Sequence, residues 1–160
     1  MSTITKLGIP DPSNQLGATP YGNLTAFRYI LTTNASGAVI DGDSTAAVAS
    51  GDVVKIGVLP AGFRLIDSLV VIKTAMSASV TGNLGFAYSD GVDSTAVPQS
   101  ATFFGSALAL SSAARLRNAT TNLSVTLPKE AWLTLTTGGA NNAKASEIGI
   151  IVFAINEGVA

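Results

Sequence analysis

Apolar residues recur at every second position through most of the chain after residue 24, a period that few folds can accommodate. Side chains alternate between the two faces of a β-strand, so this period predicts strands that bury one face. Most of the apolar positions are β-branched or aromatic residues, which strands favour. The predicted strands cover residues 24–33, 53–59, 65–74, 84–88, 123–127, 132–137 and 147–156.

Short segments rich in Gly, Pro, Asn and Asp separate the predicted strands. These residues tolerate positive φ or hydrogen-bond their own backbone, and they are therefore typical of turns. Seven or more short strands joined by such turns predict an all-β chain, folded as a β-sandwich of jelly-roll-like rather than immunoglobulin-like topology. Residues 105–117 are the one exception, because their length and Ala content would also allow a short helix.

Two of the predicted strands are apolar on both faces. Residues 69–72 are four apolar residues in succession. Near the C-terminus, Ile148, Ile150 and Val152 alternate with a second apolar set, which consists of Ile151, Phe153 and Ile155. A strand of this kind lies between two layers or has its second face covered by a neighbouring subunit, since it would promote aggregation if it were exposed at a sheet edge.

Residues 1–23 differ from the rest of the chain and are expected to form an extended N-terminal arm, with the sandwich domain covering residues 24–160. Pro10, Pro12 and Pro20 recur there among glycines, and proline fixes φ and cannot donate a backbone hydrogen bond. No basic region followed by an apolar stretch is present, so no secretory signal is expected. No run approaches the ~20 apolar residues that cross a bilayer, and no membrane partner is expected.

The chain carries little charge for a globular protein. Only 12% of its residues are charged, and Ala, Ser, Thr and Gly replace them. Interface cores are depleted in charge, so this composition favours a surface that other subunits cover, although a neutral, Thr-rich monomer remains the alternative. The four arginines are Arg28, Arg64, Arg115 and Arg117. They are too few and too scattered to predict a nucleic-acid partner, but Arg115 and Arg117 should share one face and could bind a partner's carboxylate.

The sequence excludes several kinds of catalytic site. It contains no His and no Cys, which rules out His-dependent nucleophilic catalysis and His/Cys zinc sites. Paired carboxylates could still hydrolyse sugars, but a sugar cleft also needs aromatic platforms, and the chain has one Trp. We therefore expect no enzymatic activity, no catalytic residues and no cofactor.

Two loops contain pairs of aspartates that could bind a cation. Asp41 and Asp43 lie in the first loop, and Asp90 and Asp93 lie in the second. Calcium takes six to eight oxygen ligands, many of them from the backbone, so either loop could contribute to such a site. Aspartate beside glycine is also common in ordinary turns, and this second interpretation predicts no metal.

Several segments together resemble the head decoration, or cement, proteins of tailed bacteriophages. The likeness covers roughly residues 50–155, and its most specific element is the turn Leu59-Pro-Ala-Gly-Phe-Arg64. The other segments are Asp52-Val-Val-Lys-Ile-Gly-Val58, Ile66-Asp-Ser-Leu-Val-Val-Ile72, Gly82-Asn-Leu-Gly-Phe86, Ala131-Trp-Leu-Thr-Leu-Thr-Thr-Gly138 and Ile148-Gly-Ile-Ile-Val-Phe153.

The resemblance implies a homotrimer on the outer surface of the virion. Its partner would be the major capsid protein, bound at the junctions between capsid subunits, and its effect would be to stabilise the shell. The alternative is a fibre, tail or spike component that binds carbohydrate. That function would need exposed aromatic residues, for which the candidates are Tyr21, Tyr88, Phe103 and Phe104.

Overall fold

Ten β-strands form the regular structure in the computed structural model, which describes residues 2–5, 24–117 and 120–158. None of these described residues is helical, so this part of the chain has no helix able to cross a membrane. The strands are β1 (Thr3–Thr5), β2 (Leu24–Thr33), β3 (Val53–Leu59), β4 (Phe63–Thr74), β5 (Thr81–Tyr88), β6 (Ser100–Ala109), β7 (Ala114–Arg117), β8 (Val125–Thr126), β9 (Ala131–Gly138) and β10 (Ser146–Asn156).

The strands form two sheets. One sheet has the order β1-β3-β9-β5-β6, and the other has the order β2-β10-β4-β7, with the short β8 also paired to β4. All pairings are antiparallel except that of β1 with β3. The predicted all-β class and the β-sandwich are therefore confirmed.

The alternating residues of each strand account for the core between the sheets. Ile148, Ile150 and Val152 of β10 are fully buried, and the register places Ile150 opposite Tyr29 of β2 and Val70 of β4. The predicted inward face of β2 is also confirmed, because Phe27, Tyr29 and Leu31 are all buried while Arg28 is exposed. An edge-to-face aromatic cluster completes the core under β5 and β6; its members are Phe86, Tyr88, Phe103 and Phe104.

Gly57 allows the two sheets to approach closely. The Tyr29 ring of β2 lies against Gly57 of β3, and a Cβ at position 57 would be 2.1 Å from Cε1 of that ring. The Tyr29 hydroxyl donates a hydrogen bond to the backbone carbonyl of Val58. The β3–β9 register shifts between Lys55 and Gly57, as at a β-bulge, which brings this part of β3 under the tyrosine.

The N-terminal strand β1 is held by a buried carboxylate. Asp52, only 5% exposed, accepts hydrogen bonds at Oδ1 from the backbone N–H and the hydroxyl of Ser2, at 3.1 and 3.0 Å. Its Oδ2 accepts a third, at 2.9 Å, from the backbone of Ala49. Burial alone would raise the pKa of Asp52, but these hydrogen bonds outweigh it and lower the pKa below its usual value. The predicted arm otherwise falls in residues 6–23, which lie outside the described residues.

The helix considered for residues 105–117 is wrong. The segment forms the end of β6, a turn, and β7, with β6 paired to β5 and β7 paired to β4. Within β7 the apolar Leu116 is half-buried against the core, while Arg115 and Arg117 are exposed, which is the two-residue period of a strand. Pairing with two existing strands outweighs the modest helix preference of Ala and Leu.

Two other sequence predictions need correction in part. The strand predicted over residues 123–127 is only two residues long, and Leu123 is 84% exposed. The β4 strand is not buried on both faces: Val70 and Ile72 are buried, but Leu69 and Val71 are only half-buried. No described part of the chain forms a second layer over these outward residues.

Candidate interaction surface

All four arginines of the chain lie on the outer face of one sheet. Arg28 belongs to β2, Arg64 to β4, and Arg115 and Arg117 to β7, and all four are exposed. The register aligns Arg28 with Ile151, and Arg115 and Arg117 with Val71 and Leu69 of the same outward face. The prediction that Arg115 and Arg117 share a face is therefore confirmed. We call this outer surface of the β2-β10-β4-β7 sheet the arginine face.

The centre of the arginine face is apolar. The outward residues Ile151, Phe153 and Ile155 of β10 are half-buried, and the edges of the patch include Ile66 at 41% and Leu24 at 63% exposure. The apolar side chains of the face are Leu24, Ile30, Ile66, Leu69, Val71, Ile151, Phe153 and Ile155. A contiguous apolar patch surrounded by polar residues is typical of a protein interaction site.

A groove of about 170 Å³ crosses this apolar centre at Gly149. Gly149 lies between Ile30 of β2 and Val71 of β4 in the register, and it has no side chain to fill the space between them. The remaining lining residues are Arg28, Lys73, Glu147 and Ile151. The groove has an apolar floor with charged groups at its rim, which suits an inserted apolar side chain rather than a small polar ligand.

Three of the basic residues on the arginine face already have acidic partners. Arg64 pairs with Glu157 at 3.2 Å, Lys73 pairs with Glu147 at 2.9 Å, and Arg117 pairs with Asp67. Hydrogen bonds from the Thr126 hydroxyl and from Arg64 lower the pKa of Glu157. Neither of the two other arginines forms a salt bridge with any residue that the structure describes; these are Arg28 and Arg115.

The outer face of the other sheet is chemically different. Its outward positions include five threonines, and Lys55 lies over the ring of Trp132 at 5.4 Å from the ring centroid. The threonines are Thr3, Thr5, Thr81, Thr134 and Thr136. The sandwich therefore has one Thr-rich outer face and one apolar outer face that carries the arginines.

Three of the four aspartates in the two candidate loops accept hydrogen bonds from the protein's own donors. Asp43 accepts a hydrogen bond from the backbone N–H of Thr5 at 2.7 Å. Asp90 binds the ammonium group of Lys129 at 2.7 Å, and Asp93 accepts hydrogen bonds from the backbone N–H groups of Ser94 and Gln99. Hydrogen bonding to Lys129 and to the Val92 backbone lowers the pKa of Asp90. Among the described residues, no group of three or more acidic side chains could hold a metal ion.

The aromatic residues that a carbohydrate site would need are mostly buried. Tyr88, Phe103 and Phe104 are 2%, 8% and 1% exposed, and Tyr21 lies outside the described residues. A second cavity of about 400 Å³ lies beside β6, but its described lining contains no aromatic ring. That lining consists of Thr102, Gly105, Ser106, Leu108, Thr120, Thr121 and Asn122.

Sequence reasoning missed the arginine face as a whole. It placed Arg28 on the face of β2 that is not buried, and it placed Arg115 and Arg117 on one face of their segment. Both assignments agree with the structure. It could not bring the four arginines together, because β2, β4 and β7 become parts of one sheet only through their pairing. The available signal was the sequence of β10, which is apolar on both faces. Such a strand needs a second layer or a partner over its outward face.

Two solved structures contain chains with the same fold. A chain in the structure titled "Capsid of Ralstonia phage GP4" matches with a TM-score of 0.62 and 14% sequence identity, covering 99% of each chain. A chain in the structure titled "Cyanophage Pam1 capsid asymmetric unit" matches with a TM-score of 0.55 and 14% identity, covering 92% of this chain and 98% of the other. The sequence matches no protein-family profile and no curated protein.

Proposed function

We propose that the chain is a structural virion protein of a tailed bacteriophage, a capsid decoration protein that stabilises the shell. The observation that carries the proposal is the match, over 99% of both chains, to a chain in a solved phage capsid. The TM-score of 0.62 establishes the shared fold, and because the identity is only 14%, the capsid role is our inference from it. The decoration role rests on the resemblance of residues 50–155 to cement proteins and on the apolar arginine face.

The strand order supports the jelly-roll topology that the sequence predicts, which we include in this proposal. Eight strands divide into two antiparallel groups of four, β2-β10-β4-β7 and β3-β9-β5-β6. Most successive strands lie in opposite sheets, as the Greek-key connections of a jelly roll require. Jelly rolls are common in viral capsid proteins.

The proposed mechanism is stabilisation of the assembled shell by binding. A protein that binds only the assembled state shifts the equilibrium toward that state by RT ln(1 + [L]/Kd). We infer that the chain binds the outer surface as a homotrimer, at junctions between major capsid subunits, so that one trimer contacts several subunits at once. This function needs shape and surface chemistry only, and we infer that the chain is not an enzyme.

The test is the abundance of the chain in purified particles of the phage that encodes it. A decoration protein should approach the major capsid protein in copy number by quantitative mass spectrometry, and particles lacking it should lose their DNA at a lower temperature. A few copies per particle, or heat stability unchanged by deletion of the chain, would contradict the proposal. The first of these results would favour the fibre, tail or spike alternative, although its candidate aromatic residues Tyr88, Phe103 and Phe104 are buried.

A further inference from the structure

We propose that the arginine face is the surface that docks on the capsid shell, an inference that rests on the proposed function. The shell segment that it binds would insert an apolar side chain into the groove over Gly149. Carboxylates beside that side chain would pair with Arg28 and Arg115. The partner is thus defined by its chemistry: an apolar anchor flanked by acidic residues on the capsid protein.

The apolar centre of the face indicates that a protein covers it. Ile151, Phe153 and Ile155 lie on the central strand β10, so they are not at a loop tip or a frayed edge. Gly149 leaves a groove of about 170 Å³ between Ile30 and Val71, a volume that one apolar side chain could fill. Interfaces commonly combine an anchor residue in a pocket with arginines around it.

The two arginines without salt bridges indicate the charge of the partner. Arg28 on β2 and Arg115 on β7 flank the apolar centre on the two edge strands. They are separated by three strand spacings, roughly 14 Å, across the sheet and by two residues, roughly 7 Å, along it. A covered guanidinium group that has lost its water needs an acceptor, and a carboxylate matches its planar geometry in two hydrogen bonds. No described acidic side chain forms a salt bridge with either arginine, so the partner would supply the carboxylates.

The distribution of charge argues against a second copy of the chain as the occupant. The arginine face carries five of the nine basic residues but only three acidic residues, which are Asp67, Glu147 and Glu157. The face therefore has an excess of positive charge, although the whole chain has a net charge of −1. Two arginine faces brought together would therefore oppose like charges. A nucleic acid is also disfavoured, because a phosphate backbone does not complement an apolar centre.

The experiment compares three variants for binding to empty shells of the same phage assembled without this protein. R28E/R115E reverses both charges, G149V fills the groove with a side chain that suits a strand, and K55E reverses a charge on the opposite sheet as the control. Cosedimentation should give wild-type binding for K55E. For R28E/R115E we expect binding at least about 100-fold weaker, because each reversed charge should weaken it about tenfold. For G149V we expect binding about tenfold weaker. Circular dichroism and Tm should show that all three variants are folded.

The outcomes separate the two proposals. If the wild-type chain does not bind the shells, the proposed function itself is overturned. If the wild-type chain binds and R28E/R115E and G149V bind equally well, the decoration role stands and the docking face is wrong. The docking face is also wrong if R28E/R115E abolishes self-association of the chain by light scattering, or if it abolishes retention of a single-stranded oligonucleotide that the wild type binds.

Discussion

Asp52 shows how one residue can hold an N-terminal strand in place. Its carboxylate accepts three hydrogen bonds, two of them from Ser2, immediately before β1. Because three donors converge on a buried group, the charged form is favoured in spite of burial, and the pKa is lowered. Attachment of β1 should therefore depend on the ionisation of this side chain.

The substitution D52N should destabilise the protein by about 1–3 kcal/mol near neutral pH, because an amide N–H₂ would face one of the present donors. A carboxyl group with a lowered pKa stabilises the folded state above its unfolded pKa of about 3.9, and this contribution is lost as the pH falls through the folded value. Thermal unfolding between pH 7 and pH 2.5 should show the Tm gap between D52N and wild type closing below about pH 4. A gap that stays constant to pH 2.5 would exclude the proposed role of ionisation.

Two strand glycines should respond in opposite ways to the same substitution. A Cβ at Gly57 would lie 2.1 Å from the Tyr29 ring, whereas a Cβ at Gly149 would have Val71 as its nearest neighbour, at 3.8 Å. G57A should therefore cost at least about 1–3 kcal/mol, as overpacking does. G149A should be neutral or stabilise by up to about 1 kcal/mol, because it reduces the entropy of the unfolded chain. Urea unfolding of both variants tests the prediction, and equal losses at the two sites would contradict it.

Strand β10 has two apolar faces, but only one of them belongs to the core. It pairs with β2 on one side and β4 on the other, and its inward residues are fully buried. Its outward residues are half-buried and form the middle of the arginine face. Stability should therefore depend on one face of this strand, and association should depend on the other.

Adjacent residues of β10 provide a matched test of this division. I150A should cost about 2–5 kcal/mol of unfolding free energy, because Ile150 is fully buried and its truncation leaves a cavity. I151A should cost about 1 kcal/mol or less, because Ile151 is half-buried on the outward face. Chemical denaturation of both variants provides the measurement. A loss for I151A as large as that for I150A would mean that the outer face is part of the folding core.

At the scale of the whole molecule, the sandwich is asymmetric. One outer face is Thr-rich, while the other is apolar and carries every arginine. Only 12% of the residues are charged, but these charged residues are distributed unevenly between the two outer faces. A surface of this kind suits a subunit of a larger assembly better than a free monomer.

The proposed function includes a homotrimer, which can be tested on the purified protein. Light scattering on a sizing column should give a native mass near three times 16.1 kDa, at low and at moderate salt. If the arginine face docks on the shell, R28E/R115E should leave this mass unchanged. A stable monomer at micromolar concentration would contradict the trimer.

The amino-acid sequence by itself determined the fold class and most of the strands. The bounds of β2 and β3 follow from their alternation, because inward apolar positions are a property of each strand alone. The absence of His and Cys likewise excluded several kinds of catalysis without any structure. Residues 105–117 could not be assigned in this way, because their local preference is weak and pairing with β4 and β5 decided their structure.

Only the tertiary structure decided which residues form the candidate surface. Arg28 and Arg115 are 87 positions apart in the sequence, yet both lie on the outer face of one sheet because β10 and β4 pair between their strands. The loop with Asp90 and Asp93 was equally ambiguous until Lys129 was placed beside Asp90. Periodicity shows which side of a strand points inward, but the composition of a face depends on strand order, which long-range pairing determines.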